Sequence, residues 1–237
     1  MATYACSDLH GFMELYKKIK DFLNPEDKVY YLGDAGDRGP QSWELIKTIA
    51  NDEQFIYLKG NHEDMLIKAA KDYLHPSGWG SRDYMLLVRN GGEKTFDGWE
   101  ADPEREKWLK YIDYLPTHIE YESKMDKTLI LTHAGFTPSW YEGFDKYYRP
   151  SDYELVWNRE HIYEGWDDEH FQDYIIIHGH TPVQYLHNAF MKPVETLRME
   201  AYHYCDNHKI CIDLGTYRSQ KTCLFDLDTF ESHVFSL

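Results

Sequence analysis

Cysteine is scarce in this chain: four in 237 residues, at Cys6, Cys205, Cys211 and Cys223, with no Cys-x-x-Cys pair. That spacing excludes a zinc ribbon, and the density is too low for a disulfide-built scaffold. Buried, reduced thiols in strands are expected instead. Long apolar runs are missing too. The longest purely aliphatic stretch is Met85-Leu86-Leu87-Val88, against the roughly 20 residues a membrane helix needs. No membrane partner is therefore expected. Met1–Ser7 is too short and too polar for a secretory leader, so the chain reads as cytoplasmic. Positive charge is also in deficit: Lys plus Arg is 25 against 41 Asp plus Glu, a formal net charge of −16. A field of that sign repels nucleic acid, and no nucleic-acid partner is expected. An anionic substrate would need local cations, and thirteen histidines make metal ions their natural source. Neither a P-loop signature nor a cysteine-based phosphatase loop occurs.

What is present is ordinary globular composition, 42% hydrophobic and 28% charged, which excludes disorder, collagen and coiled coil. The length suits a single domain, residues 1–237, able to bury roughly 70–75% of its unfolded surface without staples. The first third repeats one pattern three times. Tyr4–Ser7 reads as a strand, followed by a helix with Phe12, Leu15, Ile19 and Phe22 at helical spacing. Val29–Leu32 is the next strand, followed by Pro40 and a helix carrying Trp43, Ile46 and Ala50. Phe55–Leu58 then leads into a helix through Met65, Ala69 and Tyr73. Strand, polar loop, helix is the parallel crossover arrangement.

Residues 75–117 are rich in Gly, Pro and Trp and read as a cap-like insertion, with helices near 81–89 and 103–114. Strand character returns over 118–132 and again at Asp173–Ile177. Residues 140–174 are aromatic and acidic without a clear period. Short strands are expected at Val183–His187, Lys209–Asp213, Thr222–Asp226 and His233–Phe235. Parallel strands first and antiparallel strands last predict an α/β fold, two mixed sheets in a sandwich flanked by helices.

Five loops that follow predicted strands carry Asp, His or Asn: Asp8 and His10; Asp34 and Asp37; Asn61 and His62; His133; and His178 and His180. Asp8 to Asp34 is 26 residues and Asp34 to Asn61 is 27, each one strand–helix–strand unit, so the loops should converge beyond the carboxyl ends of the strands. Carboxylate, imidazole and carboxamide together suit a borderline divalent metal such as Mn, Fe or Zn. Six such side chains exceed the need of one open catalytic ion, whereas two ions sharing a carboxylate use them all.

These motifs resemble those of the metal-dependent PPP phosphoprotein phosphatases, in their bacterial and phage-type branch, within the calcineurin-like metallophosphoesterases. The family patterns GDxHG, GDxxDRG, GNHE, HAG and GHT stand here as Ser7–Gly11, Gly33–Gly39, Gly60–Glu63, His133–Gly135 and Gly179–Thr181. Asn90-Gly91-Gly92 and Ile212–Gly215 also look like this branch. The likeness runs from about residue 4 to 228.

The resemblance implies a dinuclear phosphatase acting on phosphomonoesters, with phosphoserine and phosphothreonine in a protein or peptide as substrate. Attack would be in line, by metal-bound hydroxide. Asp8 and His10 would bind one ion, Asp34 would bridge, and Asn61, His133 and His180 would complete the second. Mn2+ is the first expectation, with Fe or Zn as alternatives. Arg38 and Arg159 would grip phosphate, with Asn61 and Lys59 assisting, though Lys59 stands where relatives have Arg and loses the guanidinium fork. His62 would protonate the leaving group, oriented by Asp37. Two alternatives stay open: a dinucleoside polyphosphate (diadenosine tetraphosphate) hydrolase, and a metal-binding regulatory protein without catalysis. His178 is expected to lie behind the ligands or in solvent.

Overall fold

Three strand–helix units open the chain, as the apolar spacing predicts. They are β1 (Thr3–Cys6), α1 (Met13–Phe22), β2 (Lys28–Tyr31), α2 (Ser42–Ala50), β3 (Phe55–Tyr57) and α3 (Asn61–Leu74). The computed structural model describes residues 1–75, 82–136, 151–163 and 174–237. Leu15 and Ile19 of α1, and Trp43, Ile46 and Ile49 of α2, are buried; steps of three and four turn one face of each helix inward.

Next come α4 (Arg82–Arg89), α5 (Glu93–Ala101) and α6 (Arg105–Asp113). This is the segment read as a cap-like insertion, and its helices pack on α2 and α3. The sequence reading anticipates α4 and α6 but not α5, whose start at Gly91-Gly92 and internal Gly98 look like loop. Gly98 is there for packing: a Cβ on it would lie 2.6 Å from that of Trp43. Trp99, one residue on, is fully buried.

The second half supplies β4 (His118–Glu122), β5 (Thr128–Thr132), α7 (Asp152–Trp157), β6 (Tyr174–His178), α8 (Val183–Ala189), β7 (Tyr202–Tyr204), β8 (Lys209–Cys211), α9 (Thr216–Ser219), β9 (Lys221–Asp226) and β10 (Ser232–Ser236). Most of segment 140–174, with its acidic run Trp166–Glu169, falls outside the described residues.

Val183–His187 is a correction: it is helix, not strand. Pro182, at φ −54°, sits just before the first turn, and Val183, Leu186 and His187 are its buried residues. Their steps of three and one belong to the helical period. The strand β7 was not expected. It is a three-residue arm that turns back on β8 through Cys205-Asp206-Asn207, all three in the left-handed region.

Among the described residues two five-stranded sheets result, ordered β10-β9-β1-β2-β3 and β4-β5-β6-β8-β7. Within them β1, β2 and β3 are mutually parallel, as are β5, β6 and β8, while β9, β10, β4 and β7 run antiparallel to their neighbours. Alternation decides what each face buries. Ala5, Leu129, Leu131, Ile175 and Ile177 point between the sheets. Tyr4 and Cys6 point out to the helices of the first sheet, and Ile130 and Ile176 out from the second. Cys6, Cys211 and Cys223 are buried free thiols in strands, as expected, and Cys205 is half-buried in the β7–β8 turn. Among the described residues, no helix is long and apolar enough to cross a membrane.

Candidate active site

The loops beyond β1, β2, β3, β5 and β6 meet at one place. Backbone bonds tie them together: Asp8 N–H donates to Gly33 at 3.1 Å, His10 to Asp34 at 3.0 Å, and Gly179 to His133 at 2.8 Å. The turns are tight enough to force residues other than glycine into the left-handed region. Asp8, His10, Asp34, Asp37, Arg38 and His180 all have φ between 46° and 67°. Asp and His tolerate this better than Arg. Strain concentrated at one cluster is a mark of function.

Asp34 is at the centre. Its Oδ2 lies 3.8 Å from Nε2 of both His10 and His62, and its Oδ1 lies 3.4 Å from His133 Nε2. Two buried donor sets share it: His10, Asp34 and His62, and Asp34, His133 and His180. Asp8 adjoins the first, its Oδ1 3.9 Å from His10 Nε2. Asn61 adjoins the second, its Oδ1 2.9 Å from His133 Nε2 and 2.7 Å from His180 Nδ1.

The far nitrogens fix the ring orientations. His10 Nδ1 donates to the Gly36 carbonyl at 2.9 Å and His133 Nδ1 to the Leu32 carbonyl at 2.6 Å, so each presents an Nε2 lone pair inward. His180 Nε2 is buried with no hydrogen-bond partner among the described residues. Shared carboxylate, inward imidazole lone pairs and an orphaned buried nitrogen are what a pair of divalent cations requires.

Electrostatics agrees. Burial pushes the Asp8 and Asp34 carboxyls well above the usual carboxylate range, and neighbouring carboxylates add to it: Asp213 acting on Asp8, and Asp8 and Glu63 on Asp34. Burial also holds His10, His62 and His180 well below the usual imidazole value and His133 down to about 3. The neutral imidazoles keep lone pairs free for a cation, and a bound cation would relieve the burial and repulsion that favour the protonated form of these carboxyls.

Two groups support this centre from behind. Glu63, in the first turn of α3, accepts from the backbone N–H groups of Asp34 (2.8 Å), Ala35 (3.0 Å) and Gly60 (2.8 Å) and from the Tyr57 hydroxyl (2.7 Å). Asp34 Oδ1 accepts the His62 N–H at 2.9 Å, satisfying a free donor at the start of α3. Thr95 of α5 donates to Asp37 Oδ1 and accepts the Asp37 N–H at 2.9 Å. Asp37 Oδ2 in turn bonds His62 Nδ1. Sequence reasoning had Glu63 only as a motif letter and missed Thr95. The one available signal for Thr95 was its place just after Asn90-Gly91-Gly92, a turn whose Gly91 carbonyl accepts the Arg38 N–H at 2.8 Å.

The exposed Arg38 reaches in over both histidines, Nη1 2.9 Å from His10 Nε2 and Nη2 2.8 Å from His62 Nε2. Arg159 lies on the other flank, Nη2 3.5 Å from the His180 carbonyl. Lys59 is used differently from the sequence expectation. Its Nζ donates to the Asp113 carbonyl at the end of α6 at 2.8 Å, anchoring that helix. His178 is buried, not solvated, with Nε2 2.8 Å from the Tyr204 hydroxyl and Nδ1 2.9 Å from the Gly179 carbonyl.

Residues 1–210 match the calcineurin-like phosphoesterase family, so the chain belongs to that family of metallophosphoesterases. Among curated proteins it is 31% identical over 144 residues to the symmetrical bis(5'-nucleosyl)-tetraphosphatase of Paracidovorax citrulli, covering 59% of this chain and 46% of that one. It thus spans about half the length of that relative and of the symmetrical enzyme of Delftia acidovorans. It is 27% identical over 203 residues to the asymmetrical bis(5'-nucleosyl)-tetraphosphatase PrpE of Anoxybacillus flavithermus, covering 75% of this chain and 77% of that one. The fold matches a metallophosphoesterase structure from Sphaerobacter thermophilus with a TM-score of 0.57 at 15% identity, covering 100% of this chain and 88% of that one.

Proposed function

We propose that the chain is a two-metal hydrolase of bis(5'-nucleosyl) tetraphosphates. The observation that carries hydrolysis is the shared Asp34 carboxylate between two buried donor sets. The nucleotide substrate is supported by the relatives' activity, including one aligned over three quarters of both chains.

Asp8, His10 and Asp34 would hold one ion; Asp34, Asn61, His133 and His180 the other. Mn2+ suits these donors, with Fe and Zn next. When bound, such a pair activates water at neutral pH and neutralises phosphoryl charge. The rest is done by side chains. Arg38 and Arg159, on opposite flanks, would orient the phosphoryl oxygens, Arg38 through its planar fork. His62 would hold a proton at Nε2 for the departing oxygen, with Nδ1 fixed by Asp37 and Asp37 fixed by Thr95.

The His62–Asp37 pair favours a second reading, phosphoserine or phosphothreonine phosphatase. An alkoxide leaving group needs a proton far more than a nucleotide phosphate does. A hydrolysis panel on Mn2+-loaded protein decides between them. Diadenosine tetraphosphate turned over with a higher kcat/KM than phosphoserine peptides supports the first reading. The reverse order supports the second.

A further inference from the structure

Beyond the ligand set lies Asp213, two residues past the end of β8. Parallel pairing of β6 with β8 sets His178 opposite Cys211, so the loops leaving these strands run side by side. The 179–183 loop is stitched to both neighbours. Its His180 N–H donates to Asp8 Oδ2 at 3.1 Å, and its Val183 N–H donates to the Asp213 carbonyl at 2.9 Å. Asp8 and Asp213 therefore flank the same loop. Asp213 is 3% exposed, and its only side-chain partner among the described residues is the Gly215 N–H, at 2.7 Å to Oδ1. No lysine, arginine or histidine among those residues is in ion-pair contact with it. Its charge is nonetheless the strongest neighbouring charge acting on Asp8.

A buried carboxylate beside a second carboxylate, without a bonded cation, destabilises the fold. The bond to Gly215 does not require charge: an Asn amide oxygen would accept it equally well. The negative charge itself needs another reason, and a dication at the Asp8–His10 end supplies one. Arg38 and Arg159 act on Asp213 only from a distance.

We infer that Asp213 belongs to the divalent-cation site at the Asp8–His10 end, raising its affinity for the ion while destabilising the metal-free fold. This rests on the reading of the cluster as a metal centre. Asp213 acts as a positioning charge for the ion, whether directly or through water on it.

The test compares metal-stripped wild type, Asp213→Asn and Asp213→Glu at one fixed pH near 7.5. Mn2+ binding is titrated by electron paramagnetic resonance of the free ion, and denaturant unfolding is followed without metal. Asp213→Asn should bind one of its two ions roughly 10–100-fold more weakly, the range for supporting groups at metal sites. Its metal-free form should at the same time unfold at higher denaturant than wild type. Asp213→Glu keeps the charge and should retain most of the affinity. A structural role predicts the opposite stability change, so a less stable metal-free Asp213→Asn protein overturns the inference. Mn2+ affinities within twofold of wild type overturn it equally. If wild type itself binds no Mn2+, the metal-centre reading fails first and takes this inference with it.

Discussion

Asp37 and His62, 25 residues apart in sequence, are bonded carboxylate to ring nitrogen Nδ1, and both side chains are buried. The bond directs Nε2 of His62 toward Arg38. Burial raises the Asp37 carboxyl to about 7 and holds the imidazole well below its usual value, so the ring is neutral and held in place at Nδ1 by Asp37.

His62→Asn should therefore keep both metals and lose roughly 10²–10⁴-fold in rate on alkyl phosphates, the usual contribution of a positioned acid. The loss should be much smaller on p-nitrophenyl phosphate and on diadenosine tetraphosphate, whose leaving groups need little protonation. Thr95→Val removes both hydrogen bonds between its hydroxyl and Asp37; the one to the carboxylate is worth about 1.5 kcal/mol, and the change should slow alkyl phosphates by about tenfold with the same leaving-group bias. Equal losses on all substrates would remove His62 from the acid role.

Arg38→Ala and Arg159→Ala should leave metal content unchanged and weaken competitive inhibition by inorganic phosphate by about tenfold or more, the worth of a charge-assisted hydrogen bond. An unmoved inhibition constant with metals bound would show that the residue does not touch phosphate.

Glu63→Ala should destabilise the protein by about 3–5 kcal/mol, because it strands three buried backbone N–H donors and the Tyr57 hydroxyl. Denaturant unfolding of the metal-free protein measures this. A change under 1 kcal/mol would mean that water or a rearranged loop takes over the acceptor role.

Burial lowers His178 from 6.5 to about 4. The folded state thus keeps this ring neutral while the unfolded chain takes up a proton below pH 6.5. Stability from this residue is fully present above pH 6.5 and is lost as pH falls toward 4, by about 3 kcal/mol in total. Metal-free His178→Asn should show a shallower loss of stability across that window than wild type. Parallel curves for the two proteins would contradict the assignment.

The alternating β and α units of the first third were legible because period 2 and period 3.6 change over cleanly at Gly33–Gly39 and Gly60. The five ligand-bearing loops were legible for the same reason: each follows a strand. The helix at Val183–Ala189 was misread because a seven-residue element shows barely two turns of period, and its opening Val183-Gln184-Tyr185 alternates as a strand would. Thr95 and Glu63 act through contacts 58 and 29 residues away in sequence, and Asp213 acts electrostatically on Asp8 from about 200 residues away. Only the sheet order and the helix layer reveal such contacts.

The most direct test of a shared bridging carboxylate is a metal count on Asp34→Asn beside wild type, both stripped and reloaded with Mn2+. The account predicts two ions per wild-type chain, with hydrolysis of diadenosine tetraphosphate abolished by chelation, and fewer than one ion per Asp34→Asn chain. Two tightly held ions in Asp34→Asn would contradict it.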